Sequence, residues 1–401
     1  MTQRLYSTDQ IHRLNAWISL ISAATFLTFA ALYVAGLEWR DGFIFDSHGY
    51  VLGRDFLNFW NYGIAAWHSD PEKYYRPDIY WSLVSGQLGA DYPHQLWSYP
   101  PSVMLIAAPF GLMPYLAAYA LWTALGIAAL TYVICKWTRP AFHPMVLMFM
   151  SPAALFCFIS GQNSLFTTAL IITVLQYLQK RPFLAGLLLG ILTLKPQLGL
   201  LFPFALIASR NWKAFFAASV TTLLIAFFTA LFFGHDIWSV YLSLGIPMQN
   251  TILQDPPDII AALMPTLSMD LHVLGVGYRP AMGFQAIFAV IAIATTMWAM
   301  ARHRDDPRSW AILITGTILF TPYLMSYDMV MFGWVTAILL QRSDLDSLSL
   351  AAILATYALP YIALVMGLAG IAGPSLIPLL LLACLVRSLH QRPVMTQPVA
   401  A

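Results

Sequence analysis

Long apolar segments separated by short polar breaks run along almost the whole chain. A helix needs about 20 apolar residues to cross a bilayer, and fewer where it stops short of the surface; by that measure the pattern predicts about twelve crossings. An apolar segment at 102–113 is short and contains Pro109, so we expect it to insert only partly. The predicted crossings lie at about 15–36, 115–135, 142–159, 163–180, 182–194, 197–209, 212–233, 281–301, 309–325, 328–341, 349–365 and 371–389.

The composition supports a membrane protein. Hydrophobic residues make up 59% of the 401 residues and charged residues only 9%, whereas a soluble domain carries roughly 25% charged residues. We therefore predict an all-α polytopic membrane protein that forms a single integral membrane domain over 1–401. The first apolar run is too long for a typical signal-peptide core and lacks a convincing cleavage pattern, so we expect it to remain as a span.

The distribution of charge predicts the orientation. Basic residues occupy most of the short breaks, which are therefore expected to face the cytoplasm. Two long loops, 38–101 and 234–280, carry mainly acidic charge and are expected outside, with both termini inside. This arrangement predicts a multi-pass protein of the cell (inner) membrane whose functional face is periplasmic or exterior. We expect the proline-containing tail, 393–401, to be disordered.

Several kinds of chemistry find no support in the sequence. Cys135, Cys157 and Cys384 lie in or beside apolar segments, which indicates packing residues and neither disulfides nor metal ligands. The chain has no Walker-type glycine-rich loop, no His-Glu-x-x-His and no Cys or His cluster at zinc spacing. Nor is there a basic surface interleaved with aromatic residues that would suit nucleic acid. We predict no nucleotide-driven pump, no nucleic-acid partner, no cofactor and no obligatory metal.

Four polar interruptions converge on the predicted outer face. They are a helix that begins near Asp55, the tip 161–164, the tip 195–197 and the segment 326–328. Each of them ends an ascending segment or begins a descending one. The predicted crossings follow only from hydrophobic length and positive charge. The convergence of the four polar interruptions is therefore an independent indication of a shared site.

The segment that begins at Asp55 predicts an amphipathic helix lying at the membrane surface, with aromatic residues on one side and Asn58 and Tyr62 near the other. Asp55 has two interpretations. It is a helix N-cap, a common role for aspartate, or a general base that takes a proton from a sugar hydroxyl. The two roles are compatible.

Lys195 lies between apolar segments, close to the membrane region where an unpaired ammonium is costly. An ionisable residue at such depth is a functional candidate, and Pro196 opens the backbone beside it. Lys195 either snorkels to the outer interface or binds an anion, which in the leading interpretation is the phosphate of a lipid carrier.

The other polar tips give weaker indications. Gln162 and Asn163 form a hairpin tip, where asparagine is common for backbone reasons alone. Asp328 follows Tyr327 at the start of a predicted span, and a helix cap is its simplest interpretation. The first long loop is rich in aromatic residues, and we expect most of them to form a membrane-interface belt. These aromatics are Trp60, Trp67, Tyr74, Tyr75, Tyr80, Trp81, Trp97 and Tyr99.

Taken in order, these motifs resemble a known family. The pattern comprises Asp-Phe-Leu…Tyr-Gly-Ile-Ala-Ala at 55–66, Tyr-Pro-Pro at 99–101, Pro109…Pro114, Leu121-Trp122, Ser-Gly-Gln-Asn-Ser-Leu at 160–165 and Ala-Gly…Leu-Lys-Pro-Gln at 185–197. It is similar to the membrane glycosyltransferases of family 87, multispanning enzymes of the GT-C class that include polyprenol-phosphate-mannose-dependent alpha-mannosyltransferases. The resemblance covers about 50–215 and extends to the remainder by layout.

The resemblance implies an inverting transferase that moves a hexose, mannose in the leading hypothesis, from a polyprenyl-phosphate sugar to a lipid-linked or envelope glycan acceptor. By similarity Asp55 is the catalytic aspartate, and Lys195 and Gln197 lie in the donor-phosphate region. At 326–328 the chain departs from relatives that carry a histidine there. Further residues are expected to bind substrate: Arg54, Asn58, Tyr62, Tyr99, Gln162, Asn163, Tyr327 and Asp328.

Two other classes of function remain open at this point. A transporter or flippase of lipid-linked saccharides would use the same polar tips as a substrate path, although the polar residues within the spans are few and biased toward the outer side. An assembly scaffold for envelope polymers would need neither the buried cation nor the outer carboxylate.

Overall fold

The computed structural model of the chain describes residues 8–138, 142–342 and 345–391, and these residues are predominantly helical. The predicted disordered tail, 393–401, lies outside the described residues. A short antiparallel hairpin pairs β1 (Glu38–Arg40) with β2 (Phe43–Phe45). The α-helices, numbered along the chain, are α1 (Thr8–Ala35), α2 (Arg54–Ala65), α3 (Pro77–Leu88), α4 (Met104–Ala107), α5 (Tyr115–Trp137), α6 (Phe142–Phe149), α7 (Pro152–Ser160), α8 (Ser164–Tyr177), α9 (Pro182–Ile191), α10 (Phe202–Ala208), α11 (Trp212–Phe233), α12 (Ile237–Val240), α13 (Ile246–Gln254), α14 (Asp258–Ala262), α15 (Leu267–Val273), α16 (Tyr278–Arg302), α17 (Pro307–Phe320), α18 (Met331–Leu339), α19 (Ser347–Leu368) and α20 (Leu376–His390).

Tighter and looser helical turns join several of these elements. A π-helical turn at Tyr241–Gly245 connects α12 to α13. The 3-10 segments are Pro71–Tyr75, Pro101–Val103, Phe110–Leu112, Leu192–Leu194, Pro196–Leu198 and Ser326–Val330.

The described helices account for an all-α polytopic membrane fold. Five of them, α1, α5, α11, α16 and α19, are long and apolar enough to span a membrane. The pair α6 and α7 passes the same test as one span bent by 54°. Each crossing predicted from the sequence contains helix. The predicted fold class is confirmed, while the number of complete crossings stays a prediction.

Several apolar helices are shorter than a bilayer is thick. The 14 residues of α8 make a helix about 21 Å long, against a hydrocarbon core of about 30 Å. The helical segments 182–194, 196–208 and 326–339 are similarly short. Because these helices end early, the polar residues that connect them lie inside the depth of the bundle and can be buried among its helices.

Two apolar clusters hold the molecule together. The larger one joins α7, α8, α9 and α10 to α16–α20. The other packs the first long loop, 38–101, against α4 and α5 through residues such as Phe56, Trp97 and Trp122. The second long loop, 234–280, forms α12–α15 with the π-helical turn and adds side chains to both clusters.

Helix α9 lies very close to α11. A Cβ atom placed on Gly186 would lie 2.3 Å from the carbonyl oxygen of Ala214, and one on Gly190 would lie 2.4 Å from Cβ of Thr221. Small residues four apart on a helix allow such close approach in membrane bundles. This contact fixes the end of α9, from which the chain continues directly to Lys195.

Other parts of the chain cover the apolar side of helix α2, and its position at the membrane surface stays a prediction. Phe56, Leu57 and Phe59 are buried, because the segment 102–113 and the rest of the first long loop cover the apolar side of the helix. The contact is closest at Gly63 of α2, where a Cβ atom on Gly111 would lie 2.1 Å from the Gly63 carbonyl carbon.

The predicted aromatic belt is wrong for four of its eight members, which are buried inside the protein. Tyr75, Tyr80 and Trp97 are almost completely buried. Trp97 stacks on Tyr62 with ring centroids 3.6 Å apart and planes 8° from parallel. These rings form the core of the first long loop, because a loop with few aliphatic residues must bury aromatic ones to fold. Trp67, at 61% exposure, is an exception.

We predict that Gly111→Ala destabilises the protein by about 1–3 kcal/mol, the usual cost of overpacking, because the new methyl group would overlap the backbone of α2. The measurement is the thermal unfolding midpoint in detergent. Gly86→Ala is the matched control: Gly86 is an exposed residue of α3, and a methyl group added there would have no atom within 4 Å, while alanine favours the helix. Equal midpoints for the two variants would contradict the proposed packing.

Candidate active site

A cavity of about 480 Å³ lies where the four predicted polar interruptions meet. Its walls come from α2, the end of the first long loop, the α7–α8 and α9–α10 connections, residues 323–327 and the second long loop. Tyr62, Asn163 and Asp328 stand behind this wall and bond to residues that line it. The predicted site residues that line the cavity are Arg54, Asp55, Asn58, Tyr99, Gln162, Lys195, Gln197 and Tyr327.

Asp55 lies in the first turn of α2 and reaches the cavity. The N-cap position belongs to Gly53, and no side chain caps the helix, so the N-cap interpretation of Asp55 is wrong. One carboxylate oxygen, Oδ2, accepts a hydrogen bond from Nε2 of Gln162 at 2.9 Å.

Two glycines bring Gln162 to Asp55. Gly161 ends α7 in the left-handed conformation with φ of 71°, and Gly53 begins α2 with φ of 78°. The amide of Gly53 donates to the carbonyl oxygen of Ile159 at 3.0 Å. A Cβ atom on Gly161 would lie 2.5 Å from Cβ of Phe56. A side chain at position 161 would therefore separate the start of α2 from the α7–α8 tip.

Lys195 is buried and paired, so the snorkelling interpretation is wrong. Its side chain is 3% exposed, and its Nζ forms a close ion pair with Oδ1 of Asp328. Nζ also donates to Oδ1 of Asn163 at 3.1 Å and to Oε1 of Gln162 at 3.4 Å. An ammonium has three donors, and each has an acceptor here.

Asp328 has two structural roles. It caps its own helical segment, because its Oδ2 accepts from the backbone N–H of Met325 at 3.4 Å, which agrees with the cap interpretation. Its Oδ1 takes the ion pair with Lys195 and a hydrogen bond from Ser164 Oγ at 3.3 Å. The carboxylate is fully buried and does not line the cavity. A direct contact with substrate, as predicted from the sequence, would require the wall to open.

Tyr99 connects the aromatic core of the first long loop to the site. Its carbonyl oxygen accepts hydrogen bonds from the hydroxyls of Tyr62 and Tyr75, both at 2.7 Å. Its own hydroxyl donates to Oε1 of Gln162 at 2.8 Å. Burial, and then the charge of Asp55, raise the pKa of Tyr99 well above its usual value. The phenol therefore stays protonated and remains a donor. Tyr62 acts on the cavity through Tyr99.

Arg54 and Asn58 line the cavity beside Asp55. The guanidinium of Arg54 lies over the ring of Tyr50, 5.2 Å from its centroid. Within the described ranges, no ion pair joins Arg54 to a carboxylate. Asn58 accepts a close hydrogen bond from the hydroxyl of Tyr80, which holds its amide in place. The cavity thus contains a carboxylate and a guanidinium from consecutive residues of one helix turn.

Some cavity residues were not identified from the sequence. The second long loop was expected on the outer side, but nothing in its sequence singles out which of its residues reach the site. His94 is held by stacking on Trp81 at 3.8 Å between ring centroids. Among the described residues, no group of three or more His, Cys, Asp or Glu is arranged to hold a metal ion. The additional polar or aromatic wall residues include His94, Gln95, Tyr241, Gln249, Thr251, Asp255 and Tyr323.

The segment that supplies much of the cavity wall matches a known protein family. The family model of glycosyltransferase family 87 matches residues 97–326, more than half of the 401 residues. The chain belongs to glycosyltransferase family 87. It is therefore a membrane glycosyltransferase, and the family assignment made from the sequence motifs is confirmed. No curated protein and no solved structure matches the chain.

The match to glycosyltransferase family 87 covers only one part of the cavity. Tyr99, Gln162, Lys195 and Gln197 lie inside the matched range. Asp55, the other residues of α2 and the pair Tyr327 and Asp328 lie outside it, although the fold brings them to the same place. The site of this glycosyltransferase is therefore assembled from segments inside and outside the match.

We predict that Asp328→Ala destabilises the protein by about 3–5 kcal/mol, because it leaves the Lys195 ammonium buried without its counter-ion. Thermal unfolding in detergent is the measurement. The matched control is Asp78→Ala, which breaks the exposed pair of Arg76 and Asp78, whose side chains are 60% and 66% exposed. Exposed pairs contribute little, so the control should unfold like the wild type. A similar loss in both variants would show that the buried pair has no special weight.

Proposed function

We propose that the protein transfers a hexose, mannose in the leading form, from a polyprenyl-phosphate sugar to a lipid-linked or envelope glycan acceptor, with inversion. The proposal rests on one observation: the carboxylate of Asp55 and the guanidinium of Arg54 line a single cavity, which Lys195 also borders. A glycosyltransferase needs a base for the acceptor hydroxyl and positive charge near the leaving group. Glycosyltransferase family 87 supplies the reaction class.

Asp55 is the proposed general base. Its Oδ2 is held by Gln162, which leaves Oδ1 to accept the proton of the acceptor hydroxyl. As that proton moves, an electron pair of the hydroxyl oxygen forms the new bond to the anomeric carbon. The bond from that carbon to the phosphate oxygen breaks, and its electron pair stays with the polyprenyl phosphate. A single displacement of this kind inverts the anomeric centre.

The donor phosphate is proposed to lie between Arg54 and the tip that carries Lys195 and Gln197. Arginine suits this position because its planar guanidinium binds phosphate oxygens in pairs. Lys195 borders this position, but Asp328 balances its charge and its three donors are engaged.

The membrane supports the choice of a lipid-linked donor. Helices α1 and α11 expose large apolar side chains, including Leu32, Val34, Phe227 and Phe232, at 60% or more, as expected of helices in contact with lipid tails. A polyprenyl phosphate cannot leave the bilayer, so its phosphate must be met at headgroup level. We propose that the cavity lies there on the periplasmic or exterior side of the cell membrane, as the acidic loops predict.

The first test is a reconstituted assay. Vesicles that contain the protein receive polyprenyl-phosphate mannose, competing sugar donors and an envelope lipid extract, and the products are identified by mass spectrometry. We expect a mannosylated acceptor, and Asp55→Asn should lower the rate by about 10²–10⁴-fold, the usual contribution of a general base.

The matched control for this assay is Asp46→Asn, which changes an acidic residue of the same loop that does not line the cavity. It should transfer sugar at the wild-type rate. Movement of the donor between leaflets without a glycosylated product would favour a flippase, and full transfer by Asp55→Asn would remove Asp55 as the base.

We predict that Arg54→Gln raises the KM for the donor on the order of tenfold, because a charge-assisted hydrogen bond to phosphate is lost, while Arg54→Lys recovers part of the affinity. Initial rates over a range of donor concentrations are the measurement. Arg40→Gln is the matched control, since Arg40 also lies over an aromatic ring of the first long loop, Phe45 at 4.6 Å, and does not line the cavity. An unchanged donor KM in Arg54→Gln would exclude this contact.

A further inference from the structure

We propose that the buried pair of Lys195 and Asp328 acts as a positioning device for Asp55, and that it acts through the side-chain amide of Gln162. This inference rests on the proposed role of Asp55 as the base. It gives Lys195 a different principal task from binding the donor phosphate. Lys195, Asp328 and Gln162 are then positioning residues, since none of them needs to touch a reacting atom.

Lys195 has no hydrogen-bonding capacity left for an anion. Its ammonium carries three N–H donors and no acceptor. They meet oxygens of Asp328, Asn163 and Gln162, and the Nζ distances to the last two are 3.1 and 3.4 Å. The pair with Asp328 is neutral as a unit and is almost completely buried. It therefore offers an anion neither a free donor nor a net charge.

Neighbouring donors fix the orientation of the Gln162 side-chain amide. Its oxygen, Oε1, accepts from three donors, the Tyr99 hydroxyl at 2.8 Å, the Lys195 ammonium at 3.4 Å and the backbone N–H of Asn163 at 3.4 Å. The opposite rotamer would place the NH₂ group against the ammonium, which has no acceptor to offer. Lys195, together with Tyr99 and the Asn163 amide, thus fixes the oxygen of the Gln162 side chain on its own side and directs the NH₂ group to Asp55, where Nε2 lies 2.9 Å from Oδ2.

The hydrogen bond from Gln162 restrains the carboxylate of Asp55. A carboxylate has two chemically equal oxygens, and a directed donor on one of them fixes which oxygen remains available as a base. With Oδ2 bonded to Gln162, rotation of the carboxylate about its last bond is restrained. If the amide lost its orientation, Asp55 would keep its charge but lose its fixed direction. Small errors in the placement of reacting groups can lower rates by about 10²-fold.

The four linked residues belong to four different elements of the fold. Asp328 belongs to the 3-10 segment before α18, Lys195 follows α9, Gln162 lies between α7 and α8, and Asp55 lies on α2. Asp55 and Gln162 are 107 residues apart in sequence, and Lys195 and Asp328 are 133 apart. The ion pair and the hydrogen bonds link four segments that are distant in sequence. The packing of the helix bundle therefore sets the position of the Asp55 carboxylate.

A double-mutant cycle tests this inference. One change is Gln162→Met, which removes the amide and keeps similar length. The other is the combined Lys195→Met and Asp328→Asn, which leaves no unpaired charge and keeps a polar partner for Met325 and Ser164. Each should lower kcat on the order of 10²-fold with the donor KM within about twofold of wild type. Because both act on the same link, the combination of all three should be no slower than Gln162→Met alone.

Controls separate folding from positioning and separate this inference from the proposed function. The exposed pair variant Arg76→Gln and Asp78→Asn should match the wild type in kcat and KM. Variants are compared only at temperatures below their measured unfolding midpoints, so that lost activity reports on folded protein. Losses that multiply in the combination, or a donor KM raised tenfold or more by Lys195→Met and Asp328→Asn, would overturn the inference and return Lys195 to the phosphate. Full activity of Asp55→Asn would instead defeat the proposed function itself.

Discussion

The structure depends on how one ammonium group is buried. Lys195 lies among apolar helices, where an isolated charge would cost many kcal/mol, and its burial is stable only with a counter-ion and acceptors for its other protons. Those partners come from Asp328, Asn163 and Gln162. Because they belong to different connections of the bundle, satisfying one cation forces three polar tips to meet at one point. The cavity exists where this meeting leaves space.

Two kinds of packing serve this polar centre. The helices that end early provide an apolar frame and place their connections within the bundle. The first long loop supplies a second core made largely of aromatic rings, which holds Tyr99 by its carbonyl oxygen and presents its hydroxyl to Gln162. The apolar frame therefore sets the position of the cation, and the aromatic core sets the position of the groups around the carboxylate.

The apolar helices and the polar tips could be predicted from the sequence because both are local properties. Hydrophobic length located each helical segment, and the polar interruptions at Asp55, Gln162, Lys195 and Asp328 were recognised as exceptions within oily sequence. The pairing between them could not be predicted. Lys195 and Asp328 are 133 residues apart, and neither carries a local sign that identifies the other. Without that partner in view, Lys195 was expected either to snorkel to the outer interface or to bind an anion.

Several aromatic residues and the cap role of Asp55 were misjudged for a related reason. Tryptophan and tyrosine suit both a membrane interface and a folded loop core, and only three-dimensional packing distinguishes the two for Trp97 and Tyr75. Asp55 was considered as a cap because aspartate favours that position, but Gly53 occupies it in a conformation that brings it against the α7–α8 tip. The contact with Gly161 decides the start of α2, and sequence alone does not contain that contact.

The proposed reaction leaves the total charge of the cavity unchanged. Before transfer the cavity holds the Arg54 cation, the Asp55 carboxylate and a phosphodiester with one negative charge, while the Lys195 and Asp328 pair is neutral. During transfer Asp55 gains a proton and loses its charge, and the departing phosphate gains one. The total charge does not change, but negative charge moves from the α2 carboxylate toward the phosphate and the guanidinium. A fixed cation at the place where charge develops lowers the barrier, and a neutral buried pair beside it can hold the geometry without competing for the phosphate.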